Sequence, residues 1–320
     1  MSRLNLWLVL AVLLAAMVSV LAGKVWVPIE LWNSGDPRAL IIAELRLPRT
    51  VLAAMVGAAL GVSGAAMQGY LRNPLADPGL FGVSASAALG AVVSLFFGAA
   101  APGWLLPSFA LLGAGGAMTL LALLVGRTGS VMIFTLAGVI VSSVAGSLTA
   151  LAINLAPTPF ATTQIVTWLM GALTDRHWGD VALALPLLGA GMAVLALAAR
   201  ALDVLTLGED AARTMGVDPV RLQALIVIGV ALCVGGSVAT AGVIGFVGLI
   251  VPHLVRPFAR NRPSAVLVPS ALAGALLVLL ADSAVRAAPT VSELRLGIAM
   301  SMLGGPFFLL LLMQMRRRIA

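Results

Sequence analysis

The chain has 320 residues, 61% of them hydrophobic and only 10% charged, with a formal net charge of +7 and a mean hydropathy of +1.10. Soluble domains carry about 25% charged residues, so the composition points away from a soluble enzyme or a nucleic-acid-binding module. It fits a polytopic helical membrane protein, because a helix satisfies its own backbone in lipid, and the few aromatics and lack of alternating runs argue against a transmembrane barrel.

Segments near the ~20 residues that cross ~30 Å of hydrocarbon fall at 4–21, 51–70, 83–99, 105–125, 131–155, 181–199, 222–240, 265–282 and 296–315. The first could pass for a signal peptide, but Gly23-Lys24-Val25-Trp26 is a poor cleavage site and more spans follow. On one face of the second stand Gly57, Gly61, Gly64 and Gln68, spaced four, three and four. Small residues there let another helix approach closely, and a lone glutamine needs a partner or water. The stripe serves packing within the chain or between two copies. A polar Arg72-Asn73-Pro74 turn follows.

Residues 162–173 predict a short surface helix. Residues 242–251, GVIGFVGLIV, are closed by Pro252. Ten helical residues rise only ~15 Å, so this stretch predicts a half-helix, the eighth, buried by protein. The fold expected is all-α: one transmembrane domain over residues 1–320, with about ten membrane segments including the half-helix.

If the N-terminus is cytoplasmic, twelve arginines fall inside, against six arginines and Lys24 outside. That bias places both termini in the cytoplasm. The outer cations include Arg46, Arg49, Arg286 and Arg295. They call for a role besides topology, and for Arg46, Arg49 and Arg286 the alternative is snorkelling at the lipid interface.

A helix that packs closely and carries Gln68 suggests a bundle beside a polar path, hence a transporter, which needs an energy source. Lys24 is the only lysine, so no phosphate-binding loop exists. Asp282 stands at a predicted helix end and the other acids lie in loops, which leaves no proton relay inside the membrane. No catalytic residue, cofactor or metal site is predicted. Cys233 is alone in an apolar run and reads as a buried structural thiol. GVSG at 61–64 imitates the serine motif of rhomboid proteases, but that chemistry needs a histidine within reach. His177 lies in an outer loop and His253 beside the inner arginines, so Ser63 reads as a packing residue.

Energy then comes from a partner, and residues 205–221 fit that need. Glu209 and Asp210 begin a short helix and Arg213 follows, matching the helix dipole. Gly216 and Pro219 stop it. It is either a docking knob for a cytoplasmic subunit or a surface loop with incidental helicity.

Taken together these residues resemble the permease subunits of type II ATP-binding-cassette importers for iron chelates, haem and cobalamin. The matching stretches are LRLPRT at 45–50, GAALGVSGAAMQGYLRNPLADPGLFGVS at 57–84 and LAGVIVSS at 136–143. They continue with LTLGEDAARTMGVDP at 205–219, AGVIGFVGLIVPHLVR at 241–256 and LGIAMSMLGGPFFLLLL at 296–312, in family order over nearly the whole chain.

The resemblance implies ten spans with a short eighth helix, in the bacterial inner membrane. It implies two cytoplasmic ATP-binding subunits, a periplasmic substrate-binding protein and a second copy of the chain around a central path, and no nucleic acid. Arg46 and Arg49 match the outward arginines that meet glutamates of the binding protein, and Arg286 is placed similarly. Leu207, Gly208, Glu209, Asp210, Ala211, Ala212, Arg213, Met215 and Gly216 match the coupling helices. By the same resemblance, the segments at 131–155 and 296–315 line the path. Gln68, Asn73, Leu75, Ser130 and Val131 fall in the region of the path and inner gate, where the family often has a polar residue near Val131. TVSELRLG at 290–297 departs from the commoner proline-containing run, and Arg295 in it either contacts cargo or binding protein or is simply solvated. The expected cargo order is ferric siderophore, haem, cobalamin, then molybdate. The alternative is a self-contained secondary transporter built from inverted repeats.

Overall fold

The computed structural model describes residues 3–23, 27–28, 30, 36–79, 81–97, 104–126, 131–259, 262–289 and 293–319. Every regular element among them is helical. In chain order these are α1 (Arg3–Leu21), α2 (Pro37–Leu40), a π-helical turn (Ile41–Arg46), α3 (Leu47–Tyr70), α4 (Val83–Phe96), α5 (Leu105–Val125) and α6 (Val131–Asn154). There follow α7 (Pro159–Leu169), α8 (Trp178–Leu197), α9 (Ala199–Leu205), α10 (Glu209–Thr214), α11 (Pro219–Ala241), α12 (Val247–Val255), a 3₁₀ turn (Arg256–Phe258), α13 (Pro263–Ala287) and α14 (Leu296–Ile319). Among the described residues, eight helical stretches are long and apolar enough to cross a bilayer, and α4 and α12 are shorter apolar helices. The sum, eight and two, agrees with the ten segments expected.

The bundle is organised around α3, which is buried along nearly its whole length. It packs against α13, α12, α8 and α11. The glycine stripe sets how closely. A Cβ on Gly57 or Gly61 would overlap the carbonyl oxygens of Gly274 or Ser270 in α13, and one on Gly64 would overlap that of Gly248 in α12. The stripe therefore serves packing within one chain. In lipid, where tails are as apolar as side chains, such close contact is what holds helices together. Outer helices behave oppositely. Leu6, Trp7 and Leu14 of α1, Leu112 and Leu123 of α5, and Leu309 and Leu310 of α14 are exposed, as suits surface that meets hydrocarbon or a partner.

Several boundaries differ from those expected, each for a local reason. The half-helix starts at Val247, not at residue 242, and Pro252 lies inside it rather than closing it. Gly242 ends α11 with φ 68, and Phe246 takes the left-handed conformation at φ 67, so the chain between them is not helical. The ninth span does not stop at residue 282 but runs to Ala287, so Asp282 is inside a helix together with Arg286. Helix α3 continues backward through the π-helical turn and α2, making Arg38–Tyr70 one 33-residue apolar stretch. Asp36 caps that stretch by accepting from the Arg38 backbone N–H. Thr158 caps α7 with Pro159 in its first turn, which sets its start before residue 162. Asp218 does the same for α11.

Candidate functional site

Two ends of the bundle carry polar groups, separated by the 24 residues of α3, about 36 Å of helix. At one end α3 meets the C-terminus of α1. At the other it meets the connection between α9 and α11.

At the first end stand Arg46, Arg49 and Arg286, between 7% and 8% exposed. Arg49 clamps the Asp282 carboxylate with Nε (3.0 Å) and Nη2 (2.8 Å), and it also donates to Glu293. Asp282 is fully buried. Its second oxygen lies 3.0 Å from Arg286 Nε, one helical turn along α13. Arg286 further donates to the Ala22 carbonyl (3.0 Å) and Ser19 Oγ (2.6 Å), and Ser19 Oγ bonds to Thr50 Oγ1. Arg46 donates to the carbonyls of Val20 and Leu21 at the end of α1, where a cation complements the helix dipole. One network thus ties α1, α3, α13 and the segment before α14. The three arginines line a cavity of about 230 Å³ with Thr174, Asp175, Arg176 and Glu293. Outside the spans, hydrogen bonds from the Arg38 side chain and backbone hold the Asp36 carboxyl below its usual range.

Gln68 is 1% exposed. Its Nε2 donates to the Gly248 carbonyl at 3.2 Å, and its Oε1 accepts from Arg256 Nη2 at 2.6 Å. It holds α12 against α3. Just beyond, Asn73 Oδ1 accepts from the Leu75 N–H (2.9 Å), an Asx turn that shapes the chain after α3. Leu75 is half-buried. Val131 opens α6, and Ser130 lies outside the described residues.

At the second end Gly208, at φ 105, precedes α10, and Gly216, at φ 84, ends it. The Val217 N–H reaches back to the Ala212 carbonyl (2.9 Å) across Gly216, the closure that favours glycine there. Ala212 is the buried residue of α10, while Leu207 and Met215 are 64% and 60% exposed. Glu209 and Asp210 open the helix and Arg213 closes it. Ala211 lies between them, its carbonyl accepting from the Met215 N–H. Arg72, just after α3, pairs with Glu209 at 3.6 Å. Asp203 of α9 accepts from both the backbone and the hydroxyl of Ser264, fixing the start of α13. Residues 205–221 therefore form a braced polar projection with two exposed apolar side chains.

Helix α6 carries a third feature. Ser143, Ser147 and Asn154 are exposed on the same side as Leu136 and Ile140. Ser143 Oγ donates to the Val139 carbonyl of its own helix at 2.9 Å, whereas an amide such as that of Asn154 on an exposed face of a membrane-length helix needs water or a partner rather than lipid.

The sequence reading did not single out Asp282 and Glu293 as partners of the arginines. The signal for Asp282 was its spacing of four from Arg286, which pairs side chains on a helix. Glu293 left no local signal, since Arg49 is 244 residues away.

The model of the FecCD transport family matches residues 9–314. A protein of Bacillus subtilis (strain 168), described as the uncharacterized ABC transporter permease protein YvrB, is 41% identical over 292 residues, covering 89% of this chain and 82% of that one. The vitamin B12 import system permease protein BtuC of Salmonella typhi is 37% identical over 316 residues, 98% of this chain and 96% of its own. A solved inward-facing structure, described as of a metal-chelate type ABC transporter, superposes with a TM-score of 0.89 at 29% identity over 98% of this chain and all of that one. The PsaBC structure from Streptococcus pneumoniae in complex with Fab shares the fold, with a TM-score of 0.61 at 18% identity over 85% of this chain and 92% of that one.

Proposed function

Because the chain belongs to the FecCD transport family, the permeases of ATP-binding-cassette importers of the BtuC type, we propose that it carries a metal chelate inward as one of two copies around a central path. A permease of this kind is a multi-pass transport component, and ATP hydrolysis belongs to separate subunits. The finer reading is that both termini are cytoplasmic, in the bacterial inner membrane, and that residues 1–320 act as one permease domain. Two ATP-binding subunits then sit under the 205–221 projection, and a substrate-binding protein docks at the arginine end.

The observation that carries the reading is the α10 projection, with Leu207 and Met215 exposed at its edges and its core braced by Ala212 and Arg72. A rigid knob of this kind suits force transfer from a partner. The exposed Ser147 and Asn154 support a water-lined path against α6. Arg46, Arg49 and Arg286 are buried, so a docking carboxylate reaches them through the cavity they line and exchanges with Glu293.

Among cargoes, ferric siderophore, haem and cobalamin all remain in the class. Cobalamin is the first to test, because the vitamin B12 permease aligns over 98% of this chain. The test is reconstitution in liposomes with the ATP-binding subunit and binding protein of the same system, feeding each chelate in turn. ATP-dependent accumulation of one chelate is expected. Uptake by the chain alone, driven by an ion gradient, would overturn the reading.

A further inference from the structure

A second cavity, of about 360 Å³, opens between α7, the segment before α8 and the start of α14. Phe160, Thr163, Gln164 and Trp168 line one side of it, and Arg176 and Arg295 the other. The two guanidiniums are poorly compensated. Arg295 makes no side-chain hydrogen bond or ion pair among the described residues, and it stands directly before Leu296, the first residue of α14. A cation at a helix N-terminus faces the positive end of the dipole, so that position works against a charge without a partner. Arg176 has a buried Nε with no hydrogen-bond partner. Its ion pair to Asp180 is long, at 3.7 Å, and Asp180 already accepts from the His177 N–H. Asp175 supplies one opposing charge at the rim. The cavity also adjoins the one beside Arg46, Arg49 and Arg286, since both include Thr174, Asp175 and Arg176.

We propose that this cavity is a receiving site for a carboxylate- or phosphate-bearing part of the cargo, held by Arg176 and Arg295 with the Gln164 amide. A guanidinium fork matches an oxyanion with two donors, and Phe160 and Trp168 offer flat apolar walls for the rest of the molecule. The residues that bring the arginines together come from distant parts of the chain. The Gly297 N–H donates to the Gly171 carbonyl at 3.1 Å, which pins the start of α14 beside the end of α7. The site rests on the importer reading, as the place where cargo enters the path.

The test uses the purified chain in nanodiscs of neutral phosphatidylcholine, with citrate and inorganic phosphate as probes and thermal unfolding as readout. Wild type is expected to show a saturable rise in unfolding temperature with citrate. The Arg176→Gln/Arg295→Gln variant should lose about tenfold or more in apparent affinity, as expected for removing charged hydrogen bonds. Arg38→Gln, at an exposed arginine paired with Asp36, should behave as wild type. No saturable shift, or an equal shift in the double variant, would overturn the proposal. Loss of the citrate shift in discs containing phosphatidylglycerol would assign the site to a lipid headgroup and overturn it too. Assembly with the ATP-binding subunit is measured on the same samples. Failure of that assembly counts against the importer reading, whereas a missing citrate response with assembly intact counts against this site alone.

Discussion

Gln68 supplies Gly248 with the hydrogen bond that the half-helix cannot. In an α-helix the Gly248 carbonyl would accept from residue 252, but that residue is proline and has no N–H. Gln68 Nε2 lies 3.2 Å from the orphaned oxygen, and Gly64, one turn earlier on α3, lets the two backbones meet. The polar residue in the second span and the proline in the half-helix are two parts of one joint. Gln68→Leu should therefore destabilise the chain by about 1–3 kcal/mol, the cost of an unsatisfied buried polar group. Thermal unfolding in detergent measures it, beside Gln164→Leu as an exposed control. Equal unfolding temperatures would refute the joint.

The glycine stripe gives a prediction about assembly. Gly57→Ala, Gly61→Ala and Gly64→Ala each push a methyl group into backbone oxygen, so each should sharply lower the yield of folded, monodisperse protein. Gly146 on α6 has nothing within 4 Å of an added Cβ. Gly146→Leu should leave the isolated chain folded. If a second copy packs on that face, native mass spectrometry of the complex should show loss of the two-to-two assembly with the ATP-binding subunit. An unchanged assembly would move the copy-to-copy contact away from this face of α6.

Asp282 neutralises two arginines at once. Asp282→Asn leaves Arg49 and Arg286 buried and short of charge, and breaking a buried ion pair from one side costs about 3–5 kcal/mol. Glu293 is one-quarter exposed at its side chain, so Glu293→Gln should cost clearly less. Because the network is buried, raising the salt should change the wild-type unfolding temperature little. A strong salt dependence, or an Asp282→Asn variant as stable as wild type, would count against the network as the support of this end.

Docking is separable from that stability. Glu293→Gln frees Arg49 of one partner without creating a buried charge. If a binding-protein carboxylate exchanges with Glu293, this variant should bind the partner more tightly, and surface plasmon resonance on immobilised permease checks it. Unchanged affinity in Glu293→Gln would place docking elsewhere on the face.

At the opposite end, Gly216 sits at φ 84. A side chain there costs about 1–2 kcal/mol of local strain, enough to loosen α10 without unfolding the bundle. Gly216→Val and the pair Leu207→Asp/Met215→Asp should each weaken capture of the ATP-binding subunit and lower ATP-dependent uptake relative to hydrolysis. The chain by itself should show no hydrolysis. Full coupling in both variants would leave α10 as an ordinary surface helix.

Much of this was legible before any coordinates. The apolar runs give the membrane segments because hydrocarbon thickness fixes their length. Gly208, Gly216 and the charges of Glu209 and Arg213 announce a short helix because cap and dipole rules act within a few residues. The half-helix was legible as too short to span, yet its limits were not. Its start depends on Phe246 adopting a left-handed conformation, and its tolerance of Pro252 depends on Gln68, 180 residues before Gly248.

Sequence alone, then, determined the class, the number of membrane segments and the short polar helix at α10, since each rests on composition or on contacts a few residues apart. It could not decide what the arginines do. Arg46, Arg49 and Arg286 read as an outward excess of charge because burial and long-range partners have no local signature. Only the packing of α13 beside α3 brought Asp282 to Arg49, 233 residues apart. That packing in turn depends on glycines whose partners lie on other helices. Charge compensation in a low-dielectric interior is a property of three-dimensional proximity, and the tertiary structure settled it.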